Sequence, residues 1–261
     1  MKRHYKFHSI SFNALLFVFF ILLMSSCVSG SGSKDSSALS ESRPAVLIAS
    51  EGFENESFSE FWSYPSINQS SYHPHSRAVP FVTAPVRSGK FAAHYYLLAG
   101  TDERTPFQVA HTDFSAEEFY IEWHEFLAND YPRPVGQKMC RFTGPNLLEV
   151  DVINLDRNRN LQLFWYYDGR EGFVNTARGL PLERWNKLGF WVKLNSLGKS
   201  DGFLRLYLDN NLIASLENQE IRSNSDSFET MWIGGNYTNQ GPLSSSGSRF
   251  IDDISWYTTK P

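Results

Sequence analysis

Between residues 191 and 208 the chain alternates two kinds of side chain. Val192, Leu194, Leu204, Leu206 and Leu208 fall on one side of two strand-like runs, and Trp191, Lys193, Arg205 and Tyr207 fall on the other. Residues two apart share a face of a β-strand, so the first set reads as core and the second as an outward face. A merely solvated face would carry Ser, Thr and Glu. Two rings and two cations instead offer apolar surface and positive charge to something outside the sheet. The competing reading is that Trp191 and Tyr207 pack on each other across strands, under a loop. In FYIEWHEF, residues 119–126, Tyr120, Glu122, His124 and Phe126 share one face, while Ile121 and Trp123 share the other. Glu122 and His124 together are foreign to a core, so their face looks into solvent or a groove, with His124 either solvated or poised for proton transfer. In LQLFWYYD, residues 161–168, Gln162, Phe164 and Tyr166 line up in the same way.

Other chemistries are harder to support from the sequence. Paired carboxylates across a groove are the requirement for glycoside hydrolysis. Here Glu149 and Asp151 are followed by Val152, Ile153 and Asn154, which breaks the E-x-D-x-x-E pattern of laminarinases. No Gly-rich phosphate loop occurs; the two glycines of WIGGNY, residues 232–237, close a strand. The chain has two cysteines, Cys27 and Cys140, and no Cys/His spacing for zinc. Cys140 reads as a small buried hydrophobe.

The segments that must position these residues are short, apolar runs bounded by Gly, Pro, Asn, Asp or Ser, from PAVLIASEGF at residue 44 to RFIDDISWY at residue 249. Aromatics make up 15% of the chain, and only PLERW, residues 181–185, suggests a helical turn. Asp209-Asn210-Asn211 is suited to a tight hairpin. The expected class is all-β, with two packed antiparallel sheets. Ahead of this domain, expected over residues 45–261, lie two segments of another kind. Residues 1–26 carry Lys2, Arg3 and Lys6, then the apolar run Ala14–Met24, then Ser25-Ser26 directly before Cys27. That order resembles a bacterial lipoprotein signal, with Cys27 as the lipidated first residue of the mature chain and Met24 where the pattern prefers Leu. Residues 27–44 are Ser/Gly-rich and read as a flexible tether. Without residues 1–26, 28 acidic residues face 21 of the original 24 basic ones, a net charge of −7. Such a chain has no electrostatic footprint for nucleic acid.

A set of segments in order carries a more specific resemblance: Arg87-Ser88-Gly89-Lys90, Lys138, Arg141-Phe142, Trp185, WVKLNSLGKSDG from Trp191, LRLYLDNN from Leu204, WIGGNY from Trp232 and FIDDI from Phe250. Together they resemble bacterial concanavalin A-like jelly rolls related to alginate, glucuronan and heparin lyases. The resemblance implies a concave sheet whose groove holds a glycan. Sugars present C–H faces and polar rims, and uronates add carboxylates, which gives Trp191, Lys193, Arg205, Tyr207 and Tyr237 roles as substrate-binding residues.

If the resemblance extends to activity, it implies β-elimination of a polyuronate. A cation neutralises the carboxylate, a base removes the C5 proton, and an acid protonates the leaving oxygen. Arg104, Lys138 and Arg141 are candidate neutralisers, and His124, His111, Tyr166 and Tyr237 are candidate proton carriers. The sequence departs from one alginate lyase family, which has Tyr and Lys where Met231 and Ile233 stand here. No cofactor is required by this chemistry. A structural calcium linking first and last strands through Glu51 and Asp252, near Glu54 and Asp253, is one expectation for that end; a backbone contact with no metal is the other. The expected protein is a lipid-anchored one of the bacterial cell envelope, facing periplasm or exterior, with an extracellular acidic polysaccharide as partner; polysaccharide lyase activity and a non-catalytic assembly role are the alternatives. Cys27→Ser is expected to shift the protein from the membrane to the soluble fraction on detergent partitioning, because each buried methylene of an acyl anchor contributes about 0.8 kcal/mol.

Overall fold

Alternating apolar residues are buried only if the face that carries them is covered, and here two sheets cover each other. The computed structural model describes residues 44–56, 81–97, 99, 108–132, 136–154, 158–236 and 245–261. In chain order the strands are β1 (Leu47–Glu51), β2 (Phe81–Val82), β3 (Ala92–Leu97), β4 (Gln108–Ala116), β5 (Glu118–Leu127), β6 (Gln137–Thr143), β7 (Glu149–Asn154), β8 (Asn160–Tyr167), β9 (Arg170–Gly179), β10 (Trp185–Lys193), β11 (Gly202–Leu208), β12 (Asn211–Gln219), β13 (Phe228–Asn236) and β14 (Gly247–Tyr257). Every pairing is antiparallel. The eight-stranded sheet runs β12-β11-β10-β5-β14-β3-β2, with β1 also on β14, and the six-stranded sheet runs β4-β13-β6-β7-β8-β9. This is the expected two-sheet antiparallel sandwich of jelly-roll type.

Three strands carry no clear run in the sequence. In β9 every second residue is exposed through its first half, and β6 is interrupted by a register shift. The third, β4, reads as part of a polar stretch. PLERW does not form a helical turn: residues 182–184 are a bend, and Trp185 opens β10. The one short 3-10 segment among the described residues is Pro145–Leu147. The hairpin at 209–211 forms as expected, with Asp209 at φ 50° and Asn210 at φ 66°, conformations that Asn and Asp tolerate. No helix among the described residues is long and apolar enough to cross a membrane.

The layers meet on aromatic rings. Phe119 of β5 stacks on Phe142 of β6 with centroids 3.8 Å apart, and Phe190 of β10 and Phe228 of β13 stand edge-on to it at 6.3 and 5.5 Å. All four are fully buried, each stabilising the sandwich by about 1.5–3 kcal/mol. Cys140 is buried in the same layer, as expected.

One ion pair lies inside this core. Arg249 of β14 and Glu125 of β5 are both 0% exposed and bonded to each other. Trp123 Nε1 donates to Glu125 Oε1 at 2.8 Å, and Arg249 also donates to the carbonyl of Gly234 in β13. The guanidinium therefore ties one sheet to the backbone of the other. A buried charge left without its partner is costly. Arg249→Leu is expected to lose about 3–5 kcal/mol in a denaturant titration, and adding Glu125→Gln should restore part of it by removing the stranded charge.

Candidate functional site

Surface chemistry in a sandwich belongs to the two outward faces. On the six-stranded sheet, a row of side chains crosses five strands in register. Trp232 of β13 lies opposite Arg141 of β6, Arg141 opposite Asp151 of β7, Asp151 opposite Phe164 of β8, and Phe164 opposite Phe173 of β9. The row beside it contains Thr230, Thr143, Glu149, Tyr166 and Glu171. The register shift between Lys138 and Cys140 brings Lys138 and Arg141, three residues apart, onto one face.

The centre of this face is a cluster of two cations and two carboxylates. Lys138 and Arg141 both bond Glu149. Lys138 Nζ is also 2.9 Å from Asp151 Oδ2, and Arg141 Nε is 3.8 Å from Asp151 Oδ1. The Arg141 guanidinium sits 5.1 Å over the Trp232 ring, within cation–π range. Burial pushes the Asp151 carboxyl well above the usual carboxylate range, and the hydrogen bond and charge of Glu149 add to that. Burial also opposes the charge on Glu149, but its bond to Asp151 and the two cations hold it down at about 2. Of the two carboxyls, Asp151 is thus the one biased towards its neutral form and Glu149 the one biased towards its ionised form. Trp232 flanks the cluster on one side; Phe164, Tyr166 and Phe173 flank it on the other, with Phe173 56% exposed. The arrangement offers stacking surface around a charged centre.

The sequence-predicted residues are divided between the two faces. Lys138, Arg141 and Tyr166 lie together on the six-stranded sheet, with Tyr166 directly opposite Glu149. His124, Trp191, Lys193, Arg205 and Tyr207 lie on the outward face of the eight-stranded sheet. The single groove expected to hold both groups does not form, because the packed core separates them. His124 therefore cannot act with Arg141 or Lys138. It is half-buried, its Nδ1 is 4.0 Å from Asp253, and burial, with Arg87 nearby, lowers its pKa.

The eight-stranded face is largely occupied by its own chain. Trp191 pairs with Arg205, and Tyr207 pairs with Gly189, so the two rings are not cross-strand partners. Arg205 binds both oxygens of Glu217, at 2.7 and 2.9 Å, and lies 5.0 Å over Trp191. Trp191 Nε1 donates to Glu118 at 3.2 Å, and Lys187 pairs with Glu122 at 2.8 Å. Tyr120 crosses Gly189, where a Cβ would come within 2.3 Å of its hydroxyl, and the C-terminal Lys260 covers Tyr120 and Tyr207 at 5.9 and 5.1 Å. Here the aromatic stripe belongs mainly to packing. Tyr237, Arg104 and Cys27 lie outside the described residues.

Sequence reasoning missed Trp232 and Phe173, and it set Glu149 and Asp151 aside with the hydrolase signature. Their i, i+2 spacing was the available signal, since it places both carboxylates on one face of β7.

No protein-family model matches this chain, and no curated protein matches it. Solved structures do share its fold. Alginate lyase vAL-1 from Chlorella virus aligns over 83% of this chain and 100% of its own, at TM-score 0.60 and 11% identity. An endo-β-1,4-glucuronan lyase from the fungus Trichoderma reesei aligns over 82% and 96%, at TM-score 0.59 and 12% identity. The binding domain of botulinum neurotoxin serotype D/C aligns over 82% of this chain and 49% of its own, at 0.54 and 13%. The chain thus has the two-sheet jelly-roll fold found in polysaccharide lyases.

At the far end of the sheet, the carboxylates expected to hold calcium are engaged by backbone donors. Glu51 Oε1 accepts the Phe53 N–H at 2.7 Å, and Asp252 accepts from Arg87 at 2.9 Å and Asp253 at 2.8 Å. Glu54 accepts the Lys90 N–H. The glycine of Arg-Ser-Gly-Lys is needed here: Gly89 has φ +62°, and a Cβ would lie 2.0 Å from Glu54 Oε1. Among the described residues no three metal-ligating side chains converge. Glu51 and Asp252 alone do not supply the six to eight oxygens that calcium takes. Burial raises the pKa of Asp252 from 3.8 to about 6, although the Arg87 N–H opposes this. A raised folded-state pKa gives stability that is complete below pH 3.8 and is lost as pH rises through about 6. The melting temperature of the parent relative to Asp252→Asn is therefore expected to fall across that window, as read by thermal unfolding at several pH values.

Proposed function

We propose that this protein engages a polysaccharide through the outward face of its six-stranded sheet, as a lipid-anchored protein of the cell envelope. The observation that carries the reading is the in-register row Trp232–Arg141–Asp151–Phe164–Phe173, which alternates stacking rings with a charged centre across five strands. The strand spacing of about 4.8 Å makes such a row long enough for several sugar units. Rings stack on the C–H faces of sugars, and the charged centre meets their polar rims.

We further propose that the polysaccharide is acidic. We read the buried Asp151 as neutral, and Lys138 and Arg141 then exceed the ionised carboxylates by one charge. That excess faces outward despite the net negative charge of the chain, and fields act locally within about 8 Å at physiological salt. The structural neighbours named alginate lyase and glucuronan lyase support the same class of ligand. A lyase is the sharper form of the proposal, favoured by Tyr166 lying beside the two cations on one face. In that form Arg141 or Lys138 would neutralise the uronate, and Tyr166 would carry the proton.

Titration with a polyuronate tests the reading. Trp232→Ala and Phe173→Ala are each expected to weaken binding about tenfold, through lost stacking surface. Binding should also weaken as salt or pH rises, because loss of the Asp151 proton cancels the excess charge; Asp151→Asn should flatten the pH dependence. Parental affinity in both ring variants would defeat the proposal. Unsaturated uronate released by the parent, and lost with binding retained in Tyr166→Phe, would select the lyase; binding without product would select the non-catalytic form. Absence of binding to any polyuronate would leave an assembly role in its place.

A further inference from the structure

The other end of the eight-stranded sheet carries a second aromatic row, used neither by the core nor by the site above. Trp185 of β10, Phe126 of β5, Phe250 of β14 and His94 of β3 are consecutive cross-strand partners on the outward face. Their ring centroids are 5.7, 5.8 and 4.5 Å apart in turn. At the Phe126–Phe250 part of this row lies an open cleft of about 560 Å³, whose lining also includes Pro85, Ser248, Asp130 and Glu183.

The charge of the cleft is one-sided. Asp130 and Glu183 are exposed at its rim, with Asp130 Oδ1 accepting the Ser248 N–H at 3.1 Å, and among the described residues no Lys or Arg lines it. The neighbouring Arg184 is turned to Asp209 and Asn186. His94, behind Phe250, shares a hydrogen bond of 3.0 Å with the Ser248 hydroxyl, and burial lowers its pKa, so it adds no positive charge near neutral pH. Two carboxylates at the rim of the cleft repel a uronate. A neutral sugar would use the rings and donate its hydroxyls to the carboxylates, but would gain no net Coulomb attraction from them. An ammonium group uses both, through Coulomb attraction at the rim and attraction to the ring faces.

We propose that this cleft is a second carbohydrate site and that it takes an ammonium-bearing sugar, a hexosamine unit of a glycan. It lies on the opposite side of the sandwich from the Trp232 row, so the two sites would hold chains of opposite charge at once. In an open cleft each contact is weak, and affinity for a short oligomer is expected on the order of 1 mM.

Calorimetric titration of the full-length protein with a glucosamine tetramer, and with the same tetramer fully N-acetylated, tests the proposal. The free amine form should bind at least about tenfold more tightly, since acetylation removes the charge both contacts need. Combining Glu183→Gln with Asp130→Asn should weaken that binding to the level of the acetylated tetramer, and Glu183→Lys should abolish it. Both residues are exposed, and the amide oxygen in Asp130→Asn can still accept the Ser248 N–H that Asp130 accepts at 3.1 Å, so these variants retain the fold. Trp232→Ala should leave glucosamine binding unchanged, which separates this site from the one proposed for acidic glycans. Equal affinity for the two tetramers, parental affinity in the double variant, or no binding at millimolar concentration would each overturn the assignment.

Discussion

Side chains of a strand point to alternate faces, and in a two-sheet sandwich only one face of each sheet can be buried. Most other features of this molecule follow from that constraint. The inward faces must be apolar, and they are filled by rings from both sheets, Phe119, Phe142, Phe190 and Phe228 among them. Any residue that does chemistry must then stand on one of two outward faces that lie on opposite sides of the core. Residues on different sheets cannot share a site, however well their types match a reaction. The separation of His124 from Arg141 is the direct consequence. Glu125 and Arg249 are a charged exception on the inward side, tolerated because each neutralises the other and both hydrogen-bond further.

Charge compensation then decides which cations remain available. Arg205 is held by Glu217 and Lys187 by Glu122, so the eight-stranded face is far less positive than its Lys and Arg content suggests. Such exposed pairs contribute little to stability, about 0–1 kcal/mol, but they do occupy the cations. On the six-stranded face the balance differs. Glu149 and Asp151 are close enough to compete for protons, and burial of Asp151 favours its neutral form. That bias favours the two cations over the carboxylates locally, which the net charge of the chain does not reveal.

The fold by itself settles no activity. Structures with this shell include two proteins named as lyases and one toxin binding domain, all at 13% identity or below. What distinguishes one use from another is the outward residues of a few strands. Here those are a tyrosine beside two cations on one sheet, and an aromatic row under an acidic rim on the other. Both belong to surfaces of the same rigid scaffold, whose strands fix side-chain positions more closely than loops would.

The sequence by itself determined the class of fold, because period-two alternation with Leu204, Leu206 and Leu208 inward admits only a half-buried sheet. The hairpin at Asp209-Asn210 was equally legible, since those residues accept the left-handed backbone that the turn requires. It also determined which residues point outward on β5, β8, β10 and β11. Only the tertiary structure decided which outward residues meet. Strand order is a long-range property: β5 joins β10 and β14, whereas β6 joins β7 and β13. No local pattern reports that. The shift in β6 reversed the parity that would have put Lys138 and Arg141 on opposite faces, and so assembled the charged cluster. The C-terminal Lys260 came to lie over Tyr120 and Tyr207 through contacts between segments far apart in the chain. Alternation assigns a face to each residue, but packing assigns the neighbours, and it is neighbours that set charge, burial and chemistry.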